Sequence, residues 1–411
     1  MNNLQEANRC LKCKTAKCRE NCPVHTDIPE AMRLYEEGKL DEAGELLFNN
    51  NPLSLICSIV CPHERNCAGH CVRGIKGEPV KWYEIEREIS GHFLKRFKAV
   101  PPEPNGHRVA VIGAGPSGIT ISLLLARKGY KVTLIDKHDK IGGVMRYGIP
   151  EFRLPKRYID RYYEILCDYG VKFKPNVFIG SNTTIDDMLL DGYSAIFVAV
   201  GTSRPNKIGL LGETLGNCHF AIDYLASPST YQPADDVVII GTGNVAVDAA
   251  RTALFDGALN VTMINNRRDC DVTCDKKELT AALADGVKME HLLSTIKITD
   301  DEVICAEVDV VENEDGSLSY VEDFGRIRKF KSERTIVAIG QGPQAAALSG
   351  TNIEKSARGL YCTDADGRTQ KEGVFASGDV VTGPRTVIEA VAFTKRVEQA
   401  LDAYCMELGK K

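Results

Sequence analysis

The chain has no apolar run near the ~18 residues that a membrane span requires. Its amino terminus, MNNLQEANRCLKCK, has no apolar core of the kind a secretory leader carries. These absences predict a cytoplasmic protein without a membrane partner. Excess positive charge is missing as well: 51 Lys and Arg stand against 56 Asp and Glu, a net charge of -5. That balance argues against nucleic acid or a lipid surface as the main partner. Low-complexity segments are absent, and no strand-like run precedes residue 100 or so. What is present is a globular composition, 411 residues and 43% hydrophobic, enough for two or three domains.

Cysteine is the plentiful residue. Eight of the 15 fall within the first 71 residues, and in a reducing compartment such a cluster points to metal before disulfides. The first group reads C-x2-C-x4-C-x3-C-P (Cys10, Cys13, Cys18, Cys22, Pro23), and the second C-x3-C-x5-C-x3-C (Cys57, Cys61, Cys67, Cys71). Short loops between thiolates let backbone wrap a cubane, and the C-x3-C-P ending is that of the bacterial ferredoxin run, whose last Cys ligates the other cluster. Eight thiols suffice for two 4Fe-4S clusters. Structural zinc is the alternative, but it favours paired C-x2-C knuckles, and only Cys10 and Cys13 have that form. Around these thiols, Met32, Leu40, Ala43, Leu46 and Leu47 are spaced to face one side of short helices. Residues 1–105 therefore read as a helical iron–sulfur domain ending in a proline-stiffened linker.

After the linker the pattern becomes strand, glycine turn, helix. Gly113-Ala114-Gly115-Pro116-Ser117-Gly118 follows the apolar run Arg108 to Ile112, and Gly241-Thr242-Gly243-Asn244-Val245-Ala246 follows Asp236 to Ile240. A lone G-x-G-x-x-G is weak evidence, but each copy here leaves a strand and opens a helix, where backbone amides face a pyrophosphate. The first unit's next strand ends in Asp136, a carboxylate suited to ribose hydroxyls. The corresponding place in the second unit holds Asn265 and Asn266, then Arg267 and Arg268. With no carboxylate to repel a 2′-phosphate and two guanidiniums to meet it, that site reads as one for NADPH. Two further glycine crossings, Ala199 to Thr202 and Ala338 to Gln341, separate the units. Near the carboxyl end, Ser377-Gly378-Asp379 precedes a helix from about Thr386, a place for a flavin ribityl chain and ring edge.

These residues, and above all the stretch Gly142-Gly143-Val144-Met145-Arg146-Tyr147-Gly148-Ile149-Pro150-Glu151-Phe152-Arg153-Leu154-Pro155-Lys156, resemble the NADPH-dependent glutamate synthase small (β) subunit family. That family includes the flavin and iron–sulfur subunit of bacterial dihydropyrimidine dehydrogenase. The resemblance covers nearly the whole chain and implies FAD in the first site, NADPH or NADH in the second, and two 4Fe-4S clusters. It implies that Cys10, Cys13, Cys18 and Cys71 hold one cluster and that Cys22, Cys61, Cys67 and Glu86 hold the other, with Cys57 as the rival to Glu86. Cofactor contacts are expected from Gly113, Gly115, Gly118, Asp136, Gly143, Arg146, Gly148, Val177, Gly201, Gly378, Asp379 and Thr386, and from Gly241, Gly243, Asn244, Arg267, Arg268 and Gly340. The sequence departs from the family at Asp269-Cys270-Asp271-Val272-Thr273-Cys274, where relatives have a Glu-Glu-Met-Pro run. It is also short between Arg268 and Ala338, and the start of its carboxyl helix, Thr386 to Ala392, lacks an aromatic residue often seen there.

The expected fold is α/β: a helical two-cluster domain (1–105), a discontinuous FAD domain (106–204 and 338–411) and an NAD(P)H domain (205–337), both Rossmann-like. The expected activity carries hydride from NADPH to FAD and single electrons through two clusters to a partner. That partner is a glutamate synthase large subunit, an FMN-containing reductase or ferredoxin. No catalytic acid or base is required, because the cofactors carry the chemistry. A thiol–disulfide reductase shares the two-nucleotide architecture but needs a redox C-x-x-C. Cys270 and Cys274 are spaced C-x3-C, and Cys167, Cys218, Cys305, Cys362 and Cys405 stand singly.

Overall fold

The computed structural model describes residues 2–180, 182–344 and 351–408. The chain forms two compact units, one of Met1–Arg146, Glu151–Thr202 and Pro343–Lys411, the other of Tyr147–Pro150 and Ser203–Gly342.

The first unit begins with helices. Asp27 caps the helix Ile28–Glu36 by accepting from the Glu30 amide, with a proline in the first turn where its missing N–H costs nothing. The helices Leu40–Asn50, Ser54–Val60 and Trp82–Arg96 follow. Met32, Ala43, Leu47, Trp82, Ile85 and Ile89 form their shared core, with Leu40 and Leu46 packed at its margin, the single face that the apolar spacing implied. The same unit then builds a five-stranded sheet. Arg108–Ile112 lies at its centre, flanked by Lys131–Ile135 and Ala195–Val198, with Lys172–Lys174 and Val374–Ala376 at the edges, and every pairing is parallel.

The second unit repeats that arrangement. Asp236–Ile240 is central, between Asn260–Ile264 and Arg334–Val337, with Lys288–Glu290 and Cys218–Phe220 outermost, again all parallel. The strands are near-continuous apolar runs because helices cover parallel sheets. A three-stranded antiparallel meander, Leu293–Ile298, Glu302–Glu312 and Leu318–Lys331, intervenes before Arg334. Its Leu293, Val303 and Cys305 pack against Val238, Ile240, Ile264 and Val337. At the two ends of the unit, Arg204–Pro205 and Gln341–Gly342 pair as a short antiparallel ribbon. Among the described residues no helix is long and apolar enough to cross a membrane.

Candidate cofactor sites

Two cavities open among the amino-terminal helices. Cys10, Cys13, Cys18 and Cys71 line the first, together with Leu11, Ala16, Val72 and Val80. Cys22, Cys57, Cys61, Cys67 and Glu86 line the second, with Thr26, Ile28, His63, Asn66 and Trp82. The short helix Lys17–Glu20 carries Cys18. Cys22 lies one residue beyond that helix's cap, Asn21, and so belongs to the other cavity. Among the N–H groups that address the sulfurs, the Asn66 side-chain amide donates to Cys61 Sγ at 3.1 Å, and the Val80 backbone donates to Cys71 Sγ at 3.5 Å. Such donors stabilise thiolate charge and tune a bound cluster.

Electrostatics in both cavities call for a cation. Burial pushes the Cys18 thiol up to about 11 and raises Cys10. Cys57 and Cys67, buried more deeply, are pushed well above their ordinary value. Burial lifts the Glu86 carboxyl to about 8. Removing a carboxylate from water costs several kcal/mol unless an opposite charge balances it, so a soft, sulfur-rich cavity with a buried carboxylate is matched to an iron centre. Among the described residues no three His, Cys, Asp or Glu side chains converge on a single-ion point. The residues present fit an iron–sulfur centre: four thiols line the first cavity, and four thiols with Glu86 line the second.

At the first glycine turn, Gly113 has φ +105°, and a Cβ there would lie 2.3 Å from the Ala199 carbonyl oxygen. The helix Pro116–Ala126 starts at Gly115 without a side-chain cap, which leaves its first amides for a ligand. Gly143 closes over this turn, since a Cβ on it would sit 2.7 Å from Gly115 Cα. The strand expected to end in Asp136 stops at Ile135, and Asp136 is the first residue beyond it. One oxygen accepts from the Ala114 amide at 2.6 Å and the other from the His138 amide at 2.8 Å, while the Val177 N–H bonds to the Asp136 carbonyl.

Arg146 is committed within the fold. Its Nε donates to the Ile141 carbonyl at 2.6 Å and its other arm pairs with Asp160. Gly148 falls in Tyr147–Pro150, which belongs to the second unit. Gly201 has φ +63° with open space beside it, and Gly378 has φ +76° with Ser117 Oγ 2.4 Å from where a Cβ would stand.

The carboxyl strand is shorter than its apolar run: it ends at Ala376, and Asp379 opens a helical turn to Thr382. Burial lifts the Asp379 carboxyl to about 6, while the Arg385 amide, donating at 3.2 Å, opposes that rise. Thr386 precedes the helix Val387–Leu408. Glu389 folds back to accept from both the Thr386 amide and hydroxyl, at 3.0 and 2.6 Å. Thr386-x-x-Glu389 is a capping-box spacing that the sequence displays, although Glu389 was not among the expected site residues. A cavity beside this turn is lined by Gly378, Thr382, Arg385 and Glu389 and by Pro23, Val24 and His25.

The second glycine turn is built alike. Gly241 has φ +122°, and a Cβ there would lie 2.5 Å from the Ala338 carbonyl oxygen, while Gly243, which caps the helix Asn244–Phe255, has nothing within 4 Å. The Asn244 side chain is held by Asp275, accepting its amide at 2.8 Å and donating back at 3.1 Å. Asn265 donates to Thr242 Oγ1 at 3.2 Å, which ties the strand end to the turn. The two arginines are less free than their sequence suggests: Arg268 pairs with Asp271 at 2.8 Å, and Arg267 lies over the Tyr320 ring, 4.2 Å from its centroid. Gly340 has φ +96°, close to the Asn206 amide. Cys270 is exposed and Cys274 is buried in the core of this unit, and neither forms a disulfide.

Comparison with known proteins agrees with this construction. Residues 1–97 match the family model of the dihydropyrimidine dehydrogenase domain II 4Fe-4S cluster, and residues 107–393 match that of the pyridine nucleotide-disulphide oxidoreductases. The chain is 30% identical to the glutamate synthase [NADPH] small chain of Escherichia coli (strain K12), over 94% of this chain and 88% of that one. It is 28% identical to the NAD-dependent dihydropyrimidine dehydrogenase subunit PreT of Salmonella typhimurium, over 98% and 94%. Among solved structures, FprA of Mycobacterium tuberculosis in complex with NADPH shares the fold, with a TM-score of 0.61 and 17% identity over 75% of this chain and 86% of that chain. The match along nearly the whole chain, through both its iron–sulfur and its nucleotide-binding parts, places it in the glutamate synthase small-chain family, as an NAD(P)H-dependent flavin and iron–sulfur oxidoreductase.

Proposed function

We propose that this chain is the electron-input subunit of a larger enzyme. It takes hydride from NADPH at the second glycine turn, onto FAD at the first, and sends single electrons through two 4Fe-4S clusters to a catalytic partner subunit. The observation that carries this reading is the pair of donor-lined cavities in the same unit as the flavin-type fold. When bound, a flavin exchanges two electrons with a nicotinamide and one with a cluster, which is why all three belong together. The chain's own residues bind and orient. Amides after Gly115 and Gly243 face the pyrophosphates, Asp136 stands at the ribose end, and Asp379 stands at the ribityl side. Cys10, Cys13, Cys18 and Cys71 hold one cluster, and Cys22, Cys61, Cys67 and Glu86 the other, with Cys57 beside them. Reconstituted protein should bleach on anaerobic addition of NADPH; a spectrum unchanged by either nicotinamide defeats the proposal.

NADH as donor is the second reading, and one contact favours it. Asp271 already neutralises Arg268, which leaves Arg267 to meet a 2′-phosphate, itself stacked on Tyr320. The ratio of kcat/KM for NADPH and NADH decides between them.

A further inference from the structure

The long carboxyl-terminal helix sends one cation towards the second cluster cavity. Lys395 Nζ donates to the Asn50 carbonyl at 2.6 Å and to Asn50 Oδ1 at 2.9 Å, across 345 residues of sequence. The Asn50 amide in turn donates to Thr26 Oγ1 at 3.3 Å, and Thr26 Oγ1 lies 3.4 Å from Cys22 Sγ. Ammonium, carboxamide, hydroxyl and sulfur thus form one continuous chain. Thr26 and Cys22 both line the second cavity, while Lys395 lines the neighbouring one that joins Gly378 and Arg385 to the Pro23–His25 loop. The ammonium is half-buried. Burial opposes its charge, and the Cys22 sulfur, as thiolate, supports it, so the two groups feel each other through a medium poorer than water.

We propose that Lys395 is a positioning residue which, through Asn50 and Thr26, raises the reduction potential of the cluster held at Cys22. This rests on the functional reading above. A fixed positive charge stabilises the more negative, reduced form of a nearby cluster, and hydrogen bonds directed at its sulfurs act in the same sense. The cavity at Gly378 adjoins the loop that carries Cys22, so this cluster is the one that receives an electron from the flavin side. A raised potential favours that single-electron step. The same contact ties the helix Val387–Leu408 to the end of the helix Leu40–Asn50, so its register and the cluster's electrostatics are set by one side chain.

The test is a redox titration of the full, reconstituted chain, followed by electron paramagnetic resonance, for wild type, Lys395→Met, Lys395→Arg and Thr26→Val. Lys395→Met should disfavour the reduced form of one cluster about tenfold, a fall of about 59 mV for one electron, and leave the other cluster unmoved. Lys395→Arg should restore most of that fall. Thr26→Val, which removes the last link and keeps the lysine, should lower the same potential by less, and this variant carries the test if Lys395→Met does not assemble clusters. Unchanged potentials with both clusters intact overturn the inference alone, as do equal falls in Lys395→Met and Lys395→Arg. A wild-type protein that shows no cluster signal overturns the functional reading itself.

Discussion

Replacing Gly243 and Gly241, two residues apart on one turn, by alanine should separate ligand binding from folding. At Gly243 the backbone is extended, φ -78° and ψ 175°, and an added Cβ meets nothing within 4 Å. The methyl group therefore costs the protein only the weaker capping of alanine, about 0.5–1 kcal/mol. It does, however, occupy the space where a pyrophosphate approaches the helix amides. Losing one hydrogen bond to a charged oxygen costs about 1.5–3 kcal/mol, which is roughly a ten- to hundredfold weaker Kd. At Gly241 the relation reverses. With φ +122° and the Ala338 carbonyl oxygen 2.5 Å from the new carbon, strain and overpacking together cost about 2–4 kcal/mol before any ligand is considered. Urea unfolding of both variants, with nicotinamide nucleotide titrated by fluorescence or calorimetry, reads the two effects separately. The reasoning is refuted if Gly243→Ala binds NADPH and NADH as tightly as wild type, or if Gly241→Ala is as stable as wild type.

Other residues give equally direct expectations. Cys57→Ala should keep close to wild-type iron, whereas Glu86→Ala should lose part of it; the opposite pattern in iron analysis assigns the ligand to Cys57. Asp379→Asn should weaken flavin retention, measured as FAD released on denaturation. It should also stabilise the apoprotein in a pH-dependent way. The Asp379 carboxyl rises from 3.8 to about 6 on folding, so its penalty is absent below about pH 4, grows between pH 4 and 6, and is full above that. The variant should gain about 1–3 kcal/mol above pH 6 and little below pH 4, which urea midpoints across that range will check. Asp271→Ala releases Arg268 from its partner and should raise the preference for NADPH over NADH severalfold in kcat/KM.

Legibility followed the range of the interaction. The glycine turns and Asp136 could be read because a strand, a φ-positive glycine and a helix start are written in adjacent residues. The grouping of Cys71 with Cys10, Cys13 and Cys18 was available only through family resemblance, since spacing carries no information about which distant loop returns to close a cavity. Arg267 and Arg268 show the opposite difficulty. Their type and position are plain, but Asp271 and Tyr320 capture them, and a partner 49 residues further along leaves no local trace in Asp271 itself. The capping-box spacing of Thr386 and Glu389 is local, yet only the structure brought Glu389 into view. Lys395 and Asn50 were not legible, because nothing in either segment names the other.

The ribbon of Arg204–Pro205 with Gln341–Gly342 has a consequence for how the chain folds. Gly342 pairs directly with Arg204, so the whole stretch between them returns to its starting point. For the host sheet, whose parallel strands Ala195–Val198 and Val374–Ala376 are joined by a long crossover, the inserted nucleotide fold then lengthens that crossover without separating its ends. Closing an unstructured loop of that length would cost roughly 4 kcal/mol in chain entropy, and an insert that folds first removes most of that cost. The order of events should therefore be inside out, with the interrupting fold completed before the fold it interrupts. A host chain with the insert replaced by a two-residue turn should still form its sheet.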